Sequence, residues 1–395
     1  LSFMLDTQFT TFFLDLEEVC VTSSSNNSLT IQLPRKSHVC PSCGSSTEKI
    51  HDYRIQKIKH IPLPHKVYDL FLRKRRYTCP NCAKHFAESN PFLGKYQRMT
   101  SILKKFIISQ FSKVKSATAI AQESNISVPT ALRLFDHVSF SKPQLPETLA
   151  IDEFKGNADR EKFQCLLVDP KKKILLDVLK NRKTDDLCKY FTSFSIQQRA
   201  HVKYVVMDLS SLFRSVVKSC FPKAKIVADK FHTCRLANWA MERIRKEVQK
   251  EFSDHRRKYF KRSRFLLLRR HKNLKTPEEI EQLANMLNIS EKLKNAYRLK
   301  EKFYDVMDSR DSKEYVKRFK KWQEEVIRYN LAPFERLMKT VIEWKNEIVA
   351  AIATGYSNGY IEGCNNRTKV LKRTCYGLRR FDRMRNRILY LAPTK

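Results

Sequence analysis

Three carboxylates, far apart in the chain, have the residue type and setting for phosphate chemistry. Asp152 lies near the end of the apolar run Thr148-Leu149-Ala150-Ile151-Asp152-Glu153-Phe154. Asp208 ends a second run, Val202-Lys203-Tyr204-Val205-Val206-Met207-Asp208. Glu362 stands in Ser357-Asn358-Gly359-Tyr360-Ile361-Glu362-Gly363-Cys364-Asn365-Asn366-Arg367. The two runs read as strands, and in open α/β sheets ligands gather at the carboxyl ends of strands. Two acids there, with a third from a helix, offer the hard oxygen donors that Mg²⁺ prefers. A pair of such ions, about 4 Å apart, clamps the attacking and leaving oxygens of an in-line phosphoryl transfer. A lone strand-end aspartate is ordinarily a turn or cap residue, so the reading stands on the three acids together.

A second chemistry belongs to cysteine. Cys40-Pro41-Ser42-Cys43 and Cys79-Pro80-Asn81-Cys82 are two matched pairs, each followed by a small residue, Gly44 or Ala83. Four thiolates so spaced close a tetrahedron around Zn²⁺ and leave no open position, which makes the metal structural. His38, His51, His60, His65 and His85 lie nearby as alternative ligands, though each is more simply structural or exposed.

The elements that position these groups follow from the periodicity. Val67-Tyr68-Asp69-Leu70-Phe71-Leu72 reads as a strand between the cysteine pairs, continued by the basic run Arg73-Lys74-Arg75-Arg76, which we assign to phosphate contact rather than to a solvated edge. From Thr100 the period becomes helical. Residues 116–135 suit two short helices: Ala121 at the crossing, Asn125 in a left-handed turn, Ser127 as cap and Pro129 in the first turn. Ala131 and Leu134 face inward there, while Thr130 and Arg133 face out as a recognition helix requires. Ser141-Lys142-Pro143-Gln144-Leu145-Pro146 is a linker.

Beyond it, three strands at hairpin spacing (148–154, 163–169 and 174–179) precede alternating helices and strands, including 202–208 and 224–229. That is the order of a ribonuclease-H-like α/β domain. A helix begins near Thr184, which is expected to cap it. Residues 235–350 form a large all-α insertion, with Trp239, Trp322 and Trp344 expected to pack it. The basic stretch 256–275 is either a solvated face or a DNA contact. In the last helix Ile361, Cys364, Thr368, Leu371 and Cys375 form a core stripe, and Glu362, Asn366, Lys369 and Arg373 line a neighbouring face. Four of only seven glycines (Gly355, Gly359, Gly363 and Gly377) surround this helix. We expect them to let it start close to the sheet and to DNA.

Composition names the partner class. Formal net charge is +36, from 77 Lys and Arg against 41 Asp and Glu. A surface so basic fits a polyanion. No apolar run is long enough to span a bilayer, and the N-terminal residues lack the basic region of a signal peptide. Eleven cysteines, an odd number, fit a reducing compartment. The cytoplasm is the expected location, beside the nucleoid.

The chain resembles the bacterial insertion-sequence transposases of the DDE class that carry an N-terminal zinc module, a helix-turn-helix and a helical insertion before the final Glu. The resemblance rests on the cysteine pairs, Ile151-Asp152-Glu153-Phe154, Val206-Met207-Asp208, Ala228-Asp229-Lys230-Phe231-His232, and the block from Ser357-Asn358-Gly359 to Tyr376-Gly377-Leu378-Arg379. It implies a zinc-binding module over 1–95, a helix-turn-helix over 96–142 and a catalytic domain over 147–395. It implies Asp152, Asp208 and Glu362 as the catalytic triad on Mg²⁺ (or Mn²⁺), supported by Asp229 and His232, with Zn²⁺ on Cys40, Cys43, Cys79 and Cys82. DNA would be held through Thr130, Arg133, Asn366, Lys369 and Arg373. Terminal inverted repeats would be bound, cleaved and joined to a target by a dimer or larger multimer. Two other readings stay open: a non-catalytic DNA-binding regulator, and a nuclease or resolvase of the same fold.

Overall fold

The structure, a computed structural model, describes residues 14–16, 19–62 and 68–391. The expectations for the first residues, for His65 and for Val67 lie outside them. The chain divides into two compact units. One comprises residues up to 140 together with 370–378 and those from 382 onward; the other comprises 141–369 with 379–381.

In the first unit, β1 (Cys20–Ser24), β2 (Ser28–Gln32), β3 (His38–Val39), β4 (Ser46–Thr47), β5 (Ile50–Ile58), β6 (Asp69–Thr78) and β7 (His85–Ala87) follow in order. The main sheet runs β1-β2-β6-β5, with β7 also on β6. Side chains alternate along β6, so Leu70 and Leu72 enter the core with Ile31 and Ile58. Arg75 overturns one expectation. It is 5% exposed and donates to Glu88 Oε2 at 3.1 Å and to the Leu33 carbonyl at 2.8 Å. It is a buried ion-pair residue, unavailable to phosphate. Arg73 lies over the Tyr53 ring, and Arg76 pairs with Asp52.

Three helices follow: α1 (Ser101–Gln110), α2 (Ala117–Glu123) and α3 (Val128–Phe135). They share a core of Leu103, Ile107, Phe111, Ile120, Ala121, Ala131 and Phe135, in which Phe111 stacks on Phe135 at 4.4 Å. Asn125 holds the left-handed turn with φ of 49°. Ser127 occupies the cap position of α3, but its hydroxyl pairs with Thr130 Oγ1 instead of a backbone N–H. Leu134 is only partly buried.

The second unit is built on β8 (Thr148–Phe154), β9 (Gln164–Asp169) and β10 (Ile174–Leu179), followed by α4 (Thr184–Thr192), α5 (Ile196–His201), β11 (Tyr204–Met207), α6 (Ser211–Cys220), β12 (Lys225–Ala228) and α7 (Lys230–Val248). The sheet order is β10-β9-β8-β11-β12. The first three strands pair antiparallel, and β11 pairs parallel with both β8 and β12. This is the ribonuclease-H-like arrangement. Asp169 Oδ1 accepts from the N–H groups of Lys171 and Lys172, which closes the β9–β10 turn. Thr184 is already helical; Lys183 takes the cap position without a side-chain bond, so the expected threonine cap is absent.

The insertion comprises α8 (Asp254–Arg262), α9 (Arg264–Leu268), α10 (Pro277–Asn288), α11 (Glu291–Met307), α12 (Ser312–Tyr329), α13 (Ala332–Glu343) and α14 (Lys345–Thr354). α15 (Gly359–Thr374) and α16 (Phe381–Leu391) end the described chain. Thr276 caps α10 by accepting from the Glu279 N–H, and Glu279 Oε2 accepts in return from the Lys275 N–H, one residue before the cap. Trp322 and Trp344 are buried at 1% and 3% exposure, and Trp322 Nε1 donates to the Leu299 carbonyl. Trp239 is 53% exposed, contrary to expectation, because it lies on the outer side of α7 while Ala237, Ala240 and Met241 take the core side. No described helix is long and apolar enough to cross a membrane.

Candidate active site

Why the acids collect follows from the topology. Parallel β11 and β12 both end at the same edge of the sheet, and the residues after them are Asp208 and Asp229. Asp229 also caps α7: its Oδ2 accepts from the His232 N–H at 3.2 Å. That bond turns His232 back toward the strand ends. His232 Nδ1 lies 2.7 Å from Asp208 Oδ1 and 2.6 Å from Asp229 Oδ2. One donor atom from each of the three residues lies within 4.8 Å of the others, a set that can hold a metal ion.

Electrostatics mark the same place. Burial opposes charge on His232, yet its bonds to Asp208 and Asp229 outweigh this and push its pKa up to about 9. The imidazolium therefore stands as a cation between two carboxylates. Asp152, near the end of β8, is pushed up to about 7, first by burial and then by the charge of Asp208. Burial also acts against ionised Asp229, but hydrogen bonds from His232 and from the Asn358 backbone hold it below the usual carboxylate range. Like charges gathered in a partly dry pocket, relieved by one cation, suit a divalent ion.

The segment around Glu362 reaches these acids through two asparagines. Asn358 donates its backbone N–H to Asp229 Oδ1 at 3.2 Å and its side-chain Nδ2 to Asp208 Oδ1 at 3.4 Å. Asn365 Nδ2 donates to Asp152 Oδ2 at 2.6 Å. Both asparagines are buried, and each keeps an Oδ1 without a hydrogen-bond partner. Sequence reasoning gave neither a role. The available signal was their spacing, one turn before and one turn after Glu362. Glu362 itself is exposed, outside the Asp208–Asp229–His232 cluster. Glu153 points away, as strand alternation requires, and pairs with Arg182 at 2.6 Å.

Ile361, Cys364, Thr368 and Leu371 bury the opposite side of α15, and Cys375 is partly buried just beyond it. Asn366, Lys369 and Arg373 are exposed. Gly355 and Gly377 adopt left-handed backbone, at φ of 67° and 102°. Gly363 does not, and a Cβ there would meet open space. Close packing on the sheet is therefore not what Gly363 is for, which corrects the expectation. On α3, Thr130 is partly buried and accepts from Arg133 Nη2 at 3.2 Å, while Arg133 is exposed.

The four cysteines converge in the first unit. The Sγ atoms lie 3.6 Å apart for Cys40 and Cys82 and 3.4 Å for Cys43 and Cys79. Tetrahedral Zn²⁺ with ligands at about 2.3 Å requires sulfurs somewhat under 4 Å apart. The two turns repeat one design. The Gly44 N–H donates to the Cys40 carbonyl and the Ala83 N–H to the Cys79 carbonyl, both at 3.0 Å and both from left-handed residues. Hydrogen bonds from Ser45 pull the Cys43 thiol down to about 6, toward the thiolate a metal needs. His38 packs at a tilt against Tyr77 and His51 against His85, and His60 bonds Thr100 and the Leu14 carbonyl. None of these histidines joins the sulfur cluster.

Comparison with known proteins finds relatives over both the cysteine module and the second unit. A model of the ISL3-type DDE family, described as a transposase, matches residues 149–388. A second, described as the zinc-finger of transposase IS204/IS1001/IS1096/IS1165, matches residues 36–82. The transposase for insertion sequence element IS1001 of Bordetella parapertussis is 24% identical over 352 residues, covering 86% of this chain and 85% of that protein.

Proposed function

The chain belongs to the ISL3 family of DDE transposases, and from that premise we propose that it binds the terminal inverted repeats of an insertion sequence and cleaves and joins DNA strands at the Asp152–Asp208 edge. The carrying observation is the pair of bonds from the Glu362 segment, Asn358 to Asp208 and Asn365 to Asp152, across 150 and 213 residues of chain. Along the chain, Glu362 stands about one helical turn from each of these asparagines. In this reading Asp152, Asp208 and Glu362 hold Mg²⁺ or Mn²⁺, and Asp229 and His232 fix the orientation of Asp208. Such ions would supply neutralisation of the charge on the attacking and leaving oxygens of a phosphodiester.

The chain's own residues do the rest. Asp152 would have to be ionised to serve as a ligand, since a ligating carboxylate carries its charge. Lys369 and Arg373 grip phosphates along the exposed face of α15, with Asn366 beside them. Thr130 and Arg133 enter a groove from α3, and the zinc-bearing cysteines fix the module beside it. The division into zinc module (1–95), helix-turn-helix (96–142) and catalytic domain (147–395) is part of the proposal, as is a dimer or larger multimer holding two ends, acting in the cytoplasm at the nucleoid. The test is Mg²⁺-dependent cleavage and joining of element-end duplex by the full chain. Preference for branched junctions over inverted-repeat ends supports a junction nuclease instead, and end binding without cleavage supports a regulator.

A further inference from the structure

α7 starts at the candidate active site and carries an outward face that packing does not explain. Its core side, Thr233, Cys234, Ala237, Ala240, Met241 and Ile244, is buried. On the other side Phe231 is 56% exposed and Trp239 is 53% exposed. Arg235 lies between them at helical spacing, with its guanidinium 5.0 Å from the Trp239 ring centre. Its Nε is buried without a hydrogen-bond partner. The Phe231 ring meets the His232 ring edge-on at 5.8 Å, so the stripe begins beside the Asp208 cluster. A rise of about 1.5 Å per residue puts Trp239 roughly 12 Å further along the helix. Glu242, which shares this side, is neutralised by Arg245 at 2.6 Å. Arg243 and Lys246 continue the face, both exposed.

We propose that this face is a stacking platform for unpaired DNA bases next to the strand-cleavage site. The proposal rests on the reading of the Asp208 cluster as that site. Aromatic rings interleaved with cations match a nucleotide strand, whose bases stack while its phosphates seek positive charge. Aromatic and Arg side chains also occur in protein interfaces; what favours a nucleotide strand here is that the face begins beside the Asp208 cluster and continues in the cations Arg243 and Lys246. Neither ring is needed to hold α7 in place. A duplex keeps its bases stacked on one another, so the platform acts only on nucleotides freed from pairing.

The test uses the full chain with its zinc retained and no Mg²⁺ added, where binding is read without turnover. The probes are a short blunt duplex and the same duplex with a single-stranded 3′ tail carrying 2-aminopurine. Because Trp322 and Trp344 are buried, quenching of tryptophan fluorescence reports Trp239. The tailed probe is expected to quench it and to bind more tightly than the blunt one. Trp239→Ala should remove the quench and weaken tailed binding by about 5- to 150-fold, with blunt binding little changed. Trp239→Phe should recover most of the loss, and Phe231→Ala should weaken the tailed probe alone. Equal affinity for both probes in the unaltered chain overturns the proposal, as does a Trp239→Ala defect shared equally by both. A variant that loses self-association in sedimentation without changing probe preference shows a subunit surface instead. Cleavage by Asp208→Asn, measured separately with Mg²⁺, reads the site assignment and leaves the stacking readout untouched.

Discussion

Asp152 illustrates how a side chain can be costly to the fold and useful to the site. Its pKa is raised from 3.8 to about 7, chiefly by burial and then by Asp208. Between those two values the folded chain binds more protons here than the unfolded chain, so this residue makes stability fall as pH rises through the window. Above pH 7 the full penalty remains, a few kcal/mol at most at about 1.4 kcal/mol per pH unit. Asp152→Asn should therefore raise the melting temperature, without added divalent metal, clearly more at pH 8 than at pH 5, where only part of the penalty has accumulated. An equal shift at both pH values contradicts the assignment. The strand positions of Asp152 and Asp208 were legible in the sequence because an acid that closes an apolar run falls where a buried strand meets the open edge of its sheet. The burial of Arg75 was not, because its partner Glu88 lies 13 residues away on another stretch of backbone. Alternation from Leu70 and Leu72 would point to Lys74 or Arg76, whereas the buried member, Arg75, lies on the opposite face of β6 with Tyr77.

At the level of elements, α15 is tied to the sheet edge by asparagines rather than by its acid. Asn365→Ala removes a hydrogen bond to a partly buried carboxyl and should cost about 1.5–3 kcal/mol in denaturant melts at pH 8. A loss below a few tenths would mean that the core stripe alone docks the helix. The stripe was readable from spacings of three and four, but the bonds to Asp152 and Asp208 were not, since helical periodicity names a face and not what it meets. Trp239 shows the same limit: a tryptophan in an amphipathic helix is expected inside, and only the packing of Ala237 and Met241 shows that the core side is already filled. The cysteine turns were fully legible because metal geometry leaves few alternatives. Metal analysis should find one zinc in the first unit, and Cys82→Ser should remove it along with the preference for element ends over unrelated duplex. Retention of that preference without zinc would separate the ribbon from end recognition.

For the whole molecule, charge governs the affinity for DNA. With a net charge of +36, that affinity should fall steeply with salt, by about 10³–10⁵ between 50 and 200 mM if six to ten phosphates are contacted. A shallow dependence would mean that the charge serves something other than the DNA backbone. The central proposal is that Asp152, Asp208 and Glu362 act together in metal-dependent strand chemistry. It is tested most directly by cleavage of element-end DNA in Mg²⁺ by Asp152→Asn, Asp208→Asn and Glu362→Gln, each checked first for intact DNA binding. Every variant should lose about a thousandfold or more in rate while still binding ends; Glu362→Gln cleaving like the unaltered chain would contradict the account.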